Sequence, residues 1–127
     1  MKDLEEAESW LDAARFTLGN TLRGRERFTV AVAQAMHGLI KANDALTMKF
    51  LKWRSTRHED AAMLFEDMIK QGKFDQEYAT LRRLLIEAST RKSDFDYKGT
   101  EIGQNEAERW LRDVEKFVKC AKEILRE

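Results

Sequence analysis

Arg54, Arg57 and His58 fall within one short stretch, residues 53–60, WRSTRHED. Two guanidiniums beside an imidazole are groups that hold phosphate oxygens, and the imidazole can also move a proton near neutral pH. The same stretch has a second reading. Thr56 precedes Glu59 by three residues, the spacing of a capping box, and Glu59 and Asp60 suit the first turn of a helix. A helix start exposes unpaired backbone N–H groups, which themselves favour anions. The stretch is therefore either a capped helix start with a basic rim or a phosphate or RNA contact.

Three further positions invite chemistry. His37 stands three residues after Gln34 and four before Lys41, and Asp44 continues the line, so a polar stripe runs along an otherwise apolar helix. It reads as a hydrogen-bonded surface stripe, or as the lining of a groove or dimer seam. Arg91 falls on the buried face when counted from Leu84 through Ala88. A buried guanidinium needs a partner, and Asp94, Asp96 and Tyr97 follow it. A structural clamp with Asp94 or Asp96 and an anion-binding arginine in a cleft are the two readings. Cys120, beside Ala121 on the apolar face of the last helix, reads as a packed thiol. Two histidines and one cysteine show no metal-ligand spacing, and no glycine-rich phosphate loop occurs. No metal, no cofactor and no catalytic residue is assigned.

These residues must ride on helices. The chain has no proline, six glycines and many good helix formers. Leu4, Ala7, Leu11, Ala14, Leu18 and Leu22 recur at helical spacing, weakened at Gly19 and stopped at Gly24. A long second helix over about 25–52 carries Phe28, Val32, Ala35, Leu39, Ala42, Leu46 and Phe50, with Ala31, Met36 and Ile40 widening the stripe. Ala61, Leu64, Phe65 and Met68 mark a third helix, ended by Gln71 and Gly72. Phe74, Tyr78, Leu81, Leu84, Leu85 and Ala88 mark a fourth, which should fade near residues 91–99. Ala107, Trp110, Leu111, Val114, Phe117, Val118, Ala121 and Leu125 mark the last. The expected fold is an all-α, up-and-down antiparallel bundle of about five helices, one domain over residues 1–127. The expected core includes Leu11, Leu18, Phe28, Leu39, Leu46, Phe65, Leu84, Trp110, Val114 and Phe117. The apolar perimeter of the second helix exceeds what a small bundle covers, which points to a homodimer.

Bulk composition narrows the function classes. The 127 residues carry 23 basic and 23 acidic side chains, without the basic excess usual on phosphate backbones. No apolar run is long enough to span a membrane, and the acidic, amphipathic start does not resemble a signal peptide. A cytoplasmic location is expected.

In order and spacing these segments resemble the HEPN domain family, and within it the small proteins of the UPF0332 type. AESWLDAARFTL is similar to the family's first helix, and AVAQAMHGLIKANDAL, with His37, resembles its second, rich in small residues. RSTRHEDAAMLFEDMI resembles the segment where a threonine–histidine pair precedes the third helix, although Arg57 separates Thr56 from His58. RKSDFDYKGTEIGQNEAERWLRDVEKFV resembles the arginine, Asp-Tyr and alanine-rich final helix. The resemblance implies a helical bundle, often a homodimer, with proposed nucleotide binding. Many members pair with a minimal nucleotidyltransferase, some as toxin–antitoxin modules. The ribonuclease branch carries an arginine followed, after four to six residues, by a histidine near its last helices. This chain departs from that pattern: only three residues separate Arg54 from His58, ahead of the third helix, and no histidine follows Arg91. What the resemblance implies is a binding and interaction protein rather than a metal-independent ribonuclease. Its ligand-contact candidates are His37, Lys41, Arg54, Arg57, His58, Arg91, Asp96 and Tyr97. A structural bundle without a ligand is the third reading.

Overall fold

The computed structural model describes the backbone of residues 2–96 and 101–126, and the side chains of these residues other than 58 and 92–96. Five α-helices account for most of it: α1 (Lys2–Gly19), α2 (Glu26–Phe50), α3 (Ala61–Lys70), α4 (Arg82–Asp96) and α5 (Gln104–Arg126). Short 3-10 turns, His58–Asp60 and Gln76–Leu81, lead into α3 and α4. No strand occurs among the described residues. The all-α bundle expected from periodicity is what the chain forms.

Cross-helix pairs give the directions. Lys41 on α2 meets Glu6 on α1 at 3.2 Å, and His37 stacks on Trp10, so α1 and α2 are antiparallel. Lys122 meets Glu8 and Arg15 meets Glu115, so α5 is antiparallel to α1. Arg109 meets Glu87 and Arg91 meets Glu106, so α4 is antiparallel to α5. Lys49 Nζ donates to the Leu125 carbonyl, joining the C-terminal ends of α2 and α5, which run parallel.

The α1–α2 contact is close because its residues are small. Ala7 and Ala14 on α1, and Ala31 and Ala35 on α2, are fully buried. At Gly38 a Cβ would lie 3.1 Å from the Ala7 carbonyl oxygen and 3.4 Å from Trp10 Cβ. Around this seam α5 lays Trp110, Val114, Phe117, Ala121 and Ile124, all essentially without exposure. Phe65, Phe74 and Phe117 meet as tilted ring pairs where α3 and α5 approach. Every expected core residue is buried except Leu18, which is half-buried and packs on the core edge.

The structure corrects three expectations. The helical face drawn through Leu22 stops short: α1 ends at Gly19, and Leu22 stands 95% exposed in the turn. The cause is on α2, where Arg27 Nε donates to the Leu18 carbonyl and Nη1 to those of Arg23 and Gly24, holding the chain in a turn. The capping box at Thr56 and Glu59 is not formed. A 3-10 turn is wound first, α3 begins at Ala61 after N-cap Asp60, and Glu59 and Asp60 instead pair with Arg57. Finally, the wide apolar stripe of α2 is used inside the bundle, where α1, α3, α4 and α5 all touch it. The large apolar side chain α2 leaves exposed is Val30.

The helix-to-loop exit of α2 is also specific. Both Leu51 N and Lys52 N donate to the Thr47 carbonyl, with Lys52 at φ 67°, a left-handed backbone that favours glycine. Asn43, fully buried, donates from Nδ2 to the Ala61 carbonyl at 3.2 Å and ties α2 to the start of α3.

The Gly38 contact predicts a sign opposite to helix propensity. Valine is a better helix former than glycine, yet Gly38→Val drives methyl groups into the Ala7 backbone. The variant should lose about 1–3 kcal/mol of stability, read from the denaturant midpoint.

Candidate functional site

Three of the predicted site residues, His37, Lys41 and Arg54, collect along one edge of the α1–α2 hairpin. On α2 the stripe His37, Lys41 and Asp44 faces Trp10, Glu6 and Asp3 on α1, a ladder of rungs between antiparallel helices. The first rung is aromatic, with ring centroids 4.7 Å apart and planes 23° from parallel. The His37 ring is exposed on its outer side. The second rung is the Lys41–Glu6 ion pair, half-buried on both sides.

The last rung is buried and takes in the loop after α2. Arg54 Nε and Nη2 donate to both oxygens of Asp3, the shortest contact being 2.8 Å from Nη2 to Oδ2. Asp3 has only 4% side-chain exposure, whereas Arg54 reaches solvent along its other edge. A fork-to-carboxylate pair of this kind is both strong and directional. It raises Arg54 above its already high ordinary value, and it fixes the loop against the first turn of α1. Next to it, Ser55 Oγ donates to Asp44 Oδ1 at 3.4 Å. Asp44 is buried. Burial pushes its carboxyl up to about 6, opposed by Lys41 and assisted by Asp3, with Arg54 and the Ser55 hydroxyl opposing as well.

The remaining candidates lie elsewhere. Arg57 is exposed and pairs with Glu59 and Asp60 within its own turn. His58 opens the 3-10 turn, and its side chain lies outside the described set. Arg91 is half-buried, as its register implied, and its Nη1 donates to Glu106 Oε1 at 2.9 Å across to α5. The side chains of Asp94 and Asp96, the partners expected for it, and the whole of Tyr97 lie outside the described residues. Arg91 is thus far along the chain from the Arg54 cluster, on a different helix pair. Cys120 is half-buried against the core, and burial raises its thiol, so it is not an activated nucleophile. No group of three or more potential metal ligands occurs among the described residues, and no described helix is long and apolar enough to cross a membrane.

Sequence reasoning found the α2 stripe but missed Asp3, Glu6 and Ser55, which complete it, and Glu106, which answers Arg91. The signal was present for two of these. Asp3, Glu6 and Trp10 repeat the three-then-four spacing of His37, Lys41 and Asp44 in reverse order, as antiparallel rungs require.

A chain-wide comparison with known families fits this architecture: the HEPN domain model matches residues 2–124. The chain belongs to the HEPN domain family. No curated protein matches it. In this HEPN domain, Arg54, Arg57 and His58 sit in the α2–α3 connection, and Arg54 is occupied by Asp3. Cations that could have formed an anion site (Lys41, Arg54, Arg57 and Arg91) each engage a carboxylate of the same chain.

The raised Asp44 carboxyl makes a stability prediction with a definite sign. Its folded value, about 6, lies above its ordinary 3.8, so the folded state binds that proton more tightly than the unfolded chain does. The contribution is fully present below about 3.8 and is lost as pH rises through about 6. Asp44→Asn cannot ionise, so it removes this slope. Its stability advantage over the parent should grow across that window to no more than about 3 kcal/mol and then stay level. Urea denaturation of both proteins at stepped pH measures it.

Proposed function

We propose that this HEPN domain, of the UPF0332 type, works as a non-catalytic binding and interaction module. It would act as a homodimer and as the partner of a minimal nucleotidyltransferase in a toxin–antitoxin-like pair. The observation that carries this reading is the state of its cations. Transfer or cleavage at phosphate needs a proton-moving group within reach of the reacting atoms, beside cations open to the substrate. Here Arg54 and Arg91 are held by carboxylates, and Arg54 also anchors a loop. What the surface does offer is apolar: Trp10, Phe16, Leu22 and Val30 are exposed along the α1–α2 hairpin. Single exposed apolar residues are ordinary, but four on one helical hairpin suit protein association better than chemistry.

A nucleotide or RNA phosphate remains a ligand class for this module through the exposed edges of Arg54 and Arg57. Binding without turnover is the behaviour that follows. Two measurements test the reading. Mass spectrometry on protein purified from its own host should show a co-purifying nucleotidyltransferase. Incubation with mixed single-stranded RNAs should leave them intact; specific cleavage abolished by His37→Ala or His58→Ala would replace this reading with a ribonuclease.

A further inference from the structure

The start of α4 gives one face to the core and leaves another to solvent. Leu81, Leu84, Leu85 and Ala88 are buried. Ala79, Arg82, Arg83 and Ile86 recur at helical spacing on the other side. Together with Thr80 they line an open depression of about 450 Å³. Ile86 is 40% exposed there. Residues 79–86 hold two arginines and no acid. In a chain whose charges balance, 23 against 23, such a local surplus creates a positive field.

The carboxylates near these arginines are already in use. Glu87, four residues after Arg83, stands where a helical ion-pair partner would. Both of its oxygens are taken by Arg109 of α5, at 2.6 and 3.2 Å. Arg83 is exposed and forms no ion pair among the described residues. Arg82 gives Nη2 to Glu66 at 3.2 Å, but Glu66 also meets Lys70 at 3.6 Å, so two cations share one carboxylate. The Arg82 Nε is buried and bonds nothing among the described residues, which leaves this pose with an unmet donor. Arg82 can therefore turn toward a better acceptor without stranding Glu66.

The lining selects the ligand. A carboxylate is satisfied by a single guanidinium fork, whereas a phosphate monoester offers three terminal oxygens and close to two charges. Two adjacent guanidiniums match that set of acceptors, and the Thr80 hydroxyl adds a donor. A volume of about 450 Å³ is more than a bare phosphate fills and lies within the range of small-molecule sites. Ala79 and Ile86 supply an apolar wall for the group that carries the phosphate. We infer that the outer face at the start of α4, at Arg82 and Arg83, is a binding site for a small phosphate monoester with an apolar or aromatic body. None of its residues belongs to the loop that holds Arg54 and Arg57, so it stands apart from the phosphate contact considered there. The site binds and does not react, because none of its five lining residues is a histidine, a cysteine or a carboxylate.

Titration of the full chain with phenyl phosphate at low salt tests the site, by calorimetry and by amide shifts in NMR. Binding should saturate, with the largest shifts at residues 79–86. Arg83→Gln breaks no ion pair among the described residues, so it should leave the melting temperature unchanged. It should weaken binding about tenfold, the worth of one hydrogen bond to a charged group. Glu66→Gln should tighten binding, because Arg82 is then released; unchanged or weaker binding there removes Arg82 from the site. Ile86→Ser should weaken phenyl phosphate and leave inorganic phosphate unaffected, and equal effects on the two overturn the apolar half of the site. Benzoate bound as tightly as phenyl phosphate overturns the preference for a dianion. No saturable binding, or binding lost in Arg57→Gln and kept in Arg83→Gln, overturns the site itself.

Discussion

The close approach of α1 to α2 is the constraint on which the rest of the structure depends. It is set where Gly38 lets the Ala7 backbone come within van der Waals reach, and the alanines at 7, 14, 31 and 35 keep that distance along the seam. Small residues bury less apolar area each, but they bring two helices near enough for both to touch a third. That third helix is α5, whose Trp110, Phe117 and Ile124 fill the groove the hairpin forms. Side chains on the rim then stand opposite one another in fixed register, and the rungs from Trp10–His37 to Asp3–Arg54 follow from that register.

The buried end of the ladder shows how a polar cluster survives in a helical bundle. Asp3 and Asp44 are both taken from water, and an isolated carboxylate there would be costly. Asp3 is given a two-pronged guanidinium. Asp44 receives one long hydroxyl contact and a nearby lysine, and it answers by holding its proton more tightly. The two acids therefore divide the work: one locks the α2–α3 loop in place, and the other makes that region sensitive to acidity. Neither leaves Arg54 open to a passing phosphate on its bonded edge.

Much of this was legible in the residues. The period of apolar positions gave five helices and nearly the whole core, because burial of one face is the dominant force and its spacing is written in the sequence. The α2 stripe was visible for the same reason, since polar residues recurring at 34, 37, 41 and 44 must share a face. What was not legible depended on tertiary partners. Arg27 closes the α1–α2 turn by reaching back to carbonyls of another helix, so the apolar period through Leu22 pointed the wrong way. The Thr56–Glu59 spacing was overridden because Arg57 draws both acids toward itself. Arg91 was recognised as a part-buried cation, but its contact to Glu106 reaches another helix, which local spacing does not encode.

The order of the helices along the chain has a consequence for synthesis. The groove of the α1–α2 hairpin is complete once residue 50 has been made, but α5, which fills it, starts only at Gln104. As the chain leaves the ribosome, a hairpin with a nearby clasp between Arg27 and the Leu18 carbonyl can form early, since the loop to be closed is short. For the time it takes to make and release the rest of the protein, its inner face, lined by Val32, Leu39 and Leu46, stands open to water. The growing chain thus spends that interval as an amphipathic hairpin whose inner face lacks its partner, a state that invites chaperones.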